Sequence, residues 1–143
     1  MPQPPVAPLP APRVLTQPLP MELLTPDADA PVRIETTVSY TSRDPHALSI
    51  VFHLLGEAPV VWRLDRQMVL TGSRTATGEG EVRLRPAPDG TLLLLLGPAG
   101  HCATVRCDPD RLVRLVRDTL VLVPQGTEES HIDWRPLLSS LRR

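Results

Sequence analysis

The sequence predicts an α+β fold, a twisted antiparallel β-sheet of about six strands with two or three helices packed on it. Three observations carry this expectation. Between Val32 and Cys107 the apolar residues alternate in short runs punctuated by turn residues. After Asp108 the apolar period changes from that of a strand to that of a helix. Before Val32 there is almost no periodic apolar pattern, so the 143-residue chain reads as one domain behind a leader.

In the leader, residues 1–31, the stretch from Pro2 to Pro20 carries prolines at positions 2, 4, 5, 8, 10, 12, 18 and 20. Such a stretch favours extended polyproline conformations and buries little, so it is expected to be a disordered leader. Within it, Pro18 and Pro20 make Arg13 to Leu24 at best a poor edge strand. The folded domain is expected over residues 32–143. Val32, Ile34, Thr36, Val38 and Tyr40 share one face of a first strand, and Asp44-Pro45 turns the chain. Ala47 to Leu55 and Val60 to Leu64 follow as strands of an antiparallel meander, joined through Glu57-Ala58-Pro59.

Asp65 is placed to cap a short helix, Arg66 to Thr71, that Gly72 ends. Ser73 to Gly80 reads as a loop. In Glu81 to Arg85, Val82 and Leu84 point one way and Arg83 and Arg85 the other. Asp89-Gly90 signals a hairpin into Thr91 to Leu96, and Cys102 to Cys107 completes a run of three strands. Asp108-Pro109 then supplies an N-cap and a first helical residue. Leu112, Val113, Leu115, Val116 and Leu120 form the apolar face of helix 109–120, which is expected to pack on the sheet. Arg111, Arg114 and Arg117 lie on its opposite face. Asp133 caps a last short helix with Leu137, Leu138 and Leu141 to bury.

Composition narrows the function. The net charge of −1 gives no global field toward nucleic acid or acidic lipid. All fifteen basic residues are arginine, which closes phosphate-loop, Schiff-base and lysine-base chemistry. Cys102 and Cys107 sit five apart in one strand, on opposite faces, and cannot bridge each other there. Two free thiols fit a reducing compartment. No signal peptide or membrane-length apolar run is present, so a cytoplasmic protein is expected.

The chemistry-bearing residues form no recognisable centre. The histidines and cysteines lack metal-ligand spacing. No Gly-x-Ser-x-Gly elbow occurs. Thr75 to Gly80 has the glycines of a phosphate cradle but precedes a strand rather than a helix. Hence no catalytic residue, metal, cofactor or small-molecule substrate is expected. One surface alternative remains, a single-stranded nucleic-acid face built from Arg83, Arg85, Arg111, Arg114 and Arg117. Such faces usually add aromatic stacking, and Tyr40, Phe52, Trp62 and Trp134 are all the aromatics this chain has.

From Tyr40 onward the chain resembles the SsgA-like family of actinobacterial proteins. Asp44-Pro45-His46-Ala47-Leu48 stands where the family has Asp-Pro, an aromatic, Ala-Val, and Phe52-His53 at its Phe-His position. Val60-Val61-Trp62 is similar to its Val-x-Trp strand. Arg66 to Gly72 is similar to its Arg-Asp-Leu-Leu-x-x-Gly helix, with Gln67 in place of the acidic residue. Gly78-Glu79-Gly80-Glu81-Val82-Arg83-Leu84-Arg85-Pro86 follows Gly-x-Gly-Asp-Val-Arg-Val-x-Pro, and Leu122 to Glu128 follows Leu-Val-Pro-x-Gly-x-Glu. Leu112 to Thr119 matches a helix ending in threonine. The proline-rich leader, Leu64-Asp65 and Arg135 depart from the family pattern.

The resemblance implies a non-enzymatic regulator or adaptor of sporulation-specific cell division. Such proteins act in septum-site selection and divisome recruitment, through partners such as the tubulin-like ring protein FtsZ or another SsgA-like protein. It also implies a homotrimer of bell shape whose fold is similar to Whirly-type single-strand-binding proteins, recruited from the cytoplasm to the septum. The motif residues Asp44, Pro45, Trp62, Gly78, Gly80, Val82, Pro124, Gly126 and Glu128 are expected to serve mainly structure, as turns, caps and glycine geometry.

Overall fold

A computed structural model of the chain describes residues 8–26 and 29–141. It is α+β. Nine strands are β1 (Val14–Pro18), β2 (Met21–Leu24), β3 (Val32–Thr41), β4 (Ala47–His53), β5 (Val60–Asp65), β6 (Thr77–Glu79), β7 (Val82–Pro86), β8 (Leu92–Leu96) and β9 (Ala103–Cys107). Three helices are α1 (Arg66–Gly72), α2 (Pro109–Leu122) and α3 (Arg135–Leu141), with a 3₁₀ turn at Glu128–His131. All strand pairs are antiparallel. The sheet order is β5-β4-β3-β2-β9-β8-β7-β6, with β1 also on β3.

Both expected meanders are present, β3-β4-β5 and β7-β8-β9. What joins them lies inside the stretch assigned to a disordered leader, and here the sequence expectation is corrected. β2 pairs β3 on one edge and β9 on the other, so it is an interior strand. The leader boundary at residue 31 therefore fails for residues 14–24. The part of the leader at residues 1–7 lies outside the described residues.

The prolines permit this because of parity. β1 and β2 share one register on β3, Pro18 opposite Thr37 and Met21 opposite Ile34. Between them the Leu19 amide donates to the Thr36 carbonyl at 2.9 Å. Odd-numbered residues therefore hydrogen-bond to β3, and Pro18 and Pro20 turn their missing donors away from it. On that far edge β9 reaches only Glu22 to Leu24. Arg111 Nη2 of α2 instead donates to the Pro18 carbonyl at 3.1 Å.

The inner face of the sheet carries the core. Val38, Leu48, Ile50, Leu84, Leu92 and Leu94 are fully buried there with Leu19 and Met21, and α2 adds Leu112, Leu115 and Val116. α1 begins at the Asp65 cap, whose carboxylate accepts from the Gln67 amide at 2.7 Å. It then packs against β6 and β7 at the far end of the sheet. Gly72 makes that contact possible, since a Cβ there would stand 2.6 Å from Leu84 Cβ. Ser73 to Gly80 is not all loop, because β6 pairs β7. α3 departs from expectation as well. None of its residues is buried, and Leu137, Leu138 and Leu141 stay exposed.

Candidate functional site

The motif residues converge on one buried cation. Arg66 opens α1 and is 1% exposed. Its Nη1 donates to Tyr40 Oη at 3.2 Å, the Thr119 carbonyl at 3.1 Å and Thr119 Oγ1 at 3.3 Å. Its Nη2 donates to the Val123 carbonyl at 2.8 Å and to Glu128 Oε1 at 3.3 Å. The guanidinium also lies over the Tyr40 ring, 5.6 Å from its centroid. Every direction in which the fork can donate near α2's end is answered.

Each partner is placed by a local device. Tyr40 Oη donates to the Pro45 carbonyl at 3.0 Å, which fixes the Asp44-Pro45 turn against β3. Asp44 itself pairs with Arg63 across the surface. Pro124 to Glu128 turns the chain back after α2, with Gly126 at a φ of 91° that favours glycine. The Gly126 amide donates to both Glu128 carboxylate oxygens at 3.0 Å. Burial pushes the Glu128 carboxyl up, but the bonds from Gly126 and Arg66 outweigh it and hold the group below its ordinary value. Burial raises the Tyr40 hydroxyl, against the lowering pull of Arg66.

Pro45, Pro124, Gly126 and Glu128 are thus brought together around Arg66 and Thr119, neither of which was among the candidate site residues, while Asp44 stays at the surface with Arg63. A charged residue is almost never fully buried unless paired, and the sequence shows no pairing across 62 positions. The available signal was the recurrence of Arg66, Thr119 and Glu128 in separate family motifs. The other motif residues sit elsewhere. Trp62 is half-buried opposite Ile50 on β4, and Val82 is buried in the core. Gly80 takes a φ of 60° in the β6–β7 turn. Gly78 lies against Arg83, since a Cβ on Gly78 would stand 2.6 Å from Arg83 Cγ.

The five arginines of the nucleic-acid alternative do not form one surface, which corrects that expectation. Val82, Leu84, Leu112, Leu115 and Val116 belong to one core. Arg83 and Arg85 alternate away from it on the outer side of the sheet. Arg111, Arg114 and Arg117 face away from it on the far side of α2, and the core separates the two sets. Arg111 is engaged with Pro18, and Arg117 borders a groove between α1 and α2 floored by Leu70, Val113 and Leu120. No aromatic side chain stands beside Arg83 and Arg85, whose cross-strand neighbours are Leu95 and Leu93.

Among the described residues no three His, Cys, Asp or Glu side chains gather as metal ligands. Burial pushes the Cys107 thiol up to about 12, so it is an inert core group. Among the described residues no helix is long and apolar enough to cross a membrane.

Comparison with known proteins gives the same direction throughout. The family model described as Streptomyces sporulation and cell division protein, SsgA, matches residues 34–128. The sporulation-specific cell division protein SsgB of Thermobifida fusca is 33% identical over 117 residues, 79% of this chain and 83% of that protein. The SsgB of Salinispora tropica is 35% identical over 120 residues, 79% of this chain and 82% of that one. The crystal structure of an SsgA-like sporulation-specific cell division protein from Thermobifida fusca superposes with a TM-score of 0.79 at 29% identity. It covers 90% of this chain and 96% of that one.

Proposed function

This chain belongs to the SsgA family and has its role in sporulation-linked cell division; on that premise we propose that it is a non-enzymatic adaptor that helps choose the septum site and recruits divisome proteins. One observation carries the reading. Within the matched residues 34–128, the motif positions Tyr40, Arg66, Thr119 and Glu128 close the interior around one guanidinium rather than present a reactive site. What the molecule offers outward is surface. Leu55, Val61 and Val121 are exposed, and Trp134, just before α3, continues into an exposed stripe of Leu137, Leu138 and Leu141 on that helix. Uncovered apolar side chains in such a stripe mark contact sites.

In this proposal the protein works in the cytoplasm as a homotrimer that is drawn to the septum, and its partners are FtsZ or another SsgA-like protein. The α3 stripe supports self-association or partner capture. The test has two arms. Size-exclusion chromatography with light scattering should give three times the mass of one chain, and a clean monomer at micromolar concentration overturns the trimer. The purified protein should sediment with FtsZ polymers after nuclease treatment. Capture of nucleic acid alone, lost on nuclease treatment or at higher salt, overturns the adaptor.

A further inference from the structure

The outer face of β7 and β8 carries charge that the fold leaves unanswered. Arg106, on the same face of β9, is neutralised by Glu22 at 3.2 Å and Asp89 at 3.5 Å. Arg83 and Arg85 make no ion pair among the described residues. Arg83 Nη2 is buried and has no hydrogen-bond partner among the described residues. Folded proteins seldom leave a buried donor unpaired, and one that is unpaired calls for an explanation.

Its surroundings are built rather than accidental. Gly78, directly opposite Arg83 in the β6–β7 pair, has no side chain, and the stem of Arg83 packs into that space. A cleft of about 650 Å³ opens here between Thr77, Gly78, Gly80, Arg83, Arg85 and Leu95. Leu93 and Leu95, half-buried, bring apolar surface beside both guanidinium groups. That lowers the local dielectric and strengthens any charge pair formed there.

We propose that this cleft binds an extended acidic segment of a protein partner, with two carboxylates, two residues apart, seated on Arg83 and Arg85. The two arginines are themselves two residues apart on one strand, about 7 Å along it. An extended peptide repeats its side chains on one face at the same interval. The guanidinium fork matches a carboxylate in two parallel bonds. Single-stranded nucleic acid fits less well. The face lacks the aromatic platform such ligands stack on, its lining being Ala76, Thr77, glycines, leucines and the two arginines. The site stands whichever cellular process the protein serves, so its test is independent of septation.

The experiment is fluorescence anisotropy with three labelled probes: a peptide alternating valine and aspartate, a peptide of the same composition with its aspartates contiguous, and oligothymidylate. The alternating peptide should bind, and the contiguous one several-fold more weakly. Arg83→Gln and Arg85→Gln should each weaken the alternating peptide about ten-fold, near 1.4 kcal/mol. Gly78→Val should weaken it by displacing Arg83, and Arg111→Gln should leave it unchanged. Unchanged melting temperatures establish that each variant is folded, and Arg85→Gln, at an exposed position, serves if Arg83→Gln is not. The proposal is overturned by no binding of the alternating peptide, by both arginine variants binding it as tightly as the wild-type protein, or by oligothymidylate binding more tightly and losing affinity with them.

Discussion

Two arginines divide this molecule. Arg66, inside the curl of the sheet, meets a phenol, two carbonyls, a hydroxyl and a carboxylate. Arg83, on the outer side, has a buried nitrogen with nothing to donate to among the described residues. Both stand within family motifs, so sequence gives them equal standing. The structure separates them. A charge whose two terminal nitrogens are both answered holds elements together, here β3, α1, α2 and the Pro124–Glu128 turn. A charge left unanswered holds nothing, and its presence is explained by something outside the chain.

The largest way to break the comparison is Arg66→Met. It leaves Glu128 buried without its cation and two carbonyls short of a donor, and should cost about 3–5 kcal/mol in urea unfolding. A loss below about 1 kcal/mol would mean that the network is decoration. Next comes Glu128→Gln, expected to cost about 1.5–3 kcal/mol at neutral pH. The sign of its pH dependence follows from the lowered carboxyl. A depressed carboxylate adds stability that is complete above the unfolded value, near 4.3, and drains away as pH falls through the lower folded one. The wild-type melting temperature should therefore drop more steeply than that of Glu128→Gln on acidification below about pH 4.5. Parallel acid limbs would contradict the assignment.

The smallest effect is the opposite in sign. Arg83→Leu removes an unpaired buried donor and should change stability by no more than about 1 kcal/mol, toward greater stability. A loss on the scale of Arg66→Met would show that Arg83 has an internal partner after all.

Much of this architecture was legible from residues. β3, β4, β5, β7, β8, β9, α1 and α2 follow from alternation, from the Asp65 and Asp108 caps, and from the change of period at Pro109. β1 and β2 did not, because proline is a local signal and its tolerance is a pairing property. Whether Pro18 and Pro20 break a strand depends on which edge their nitrogens face. β6 is three residues long with a glycine at its centre, too short to show a period. The site was legible in parts and illegible as a whole. Tyr40, Arg66, Thr119 and Glu128 each had a motif, but only the curl of the sheet places them around one guanidinium. The five-arginine surface failed for the converse reason, since each arginine faces outward but on opposite sides of one core.

Pro18, which ends β1, and Pro20, just beyond it, have a consequence beyond permitting the strand. Strand β1 lies on β3 with its other edge open, since β9 stops at Leu24 and Glu22. At Pro18 and Pro20 that edge has no amide to offer, and the Pro18 carbonyl is occupied by Arg111. A foreign strand arriving there finds a ladder with rungs removed. Open edges are where β proteins grow into fibres, and an edge short of two donors and one free acceptor is a poor template for such growth.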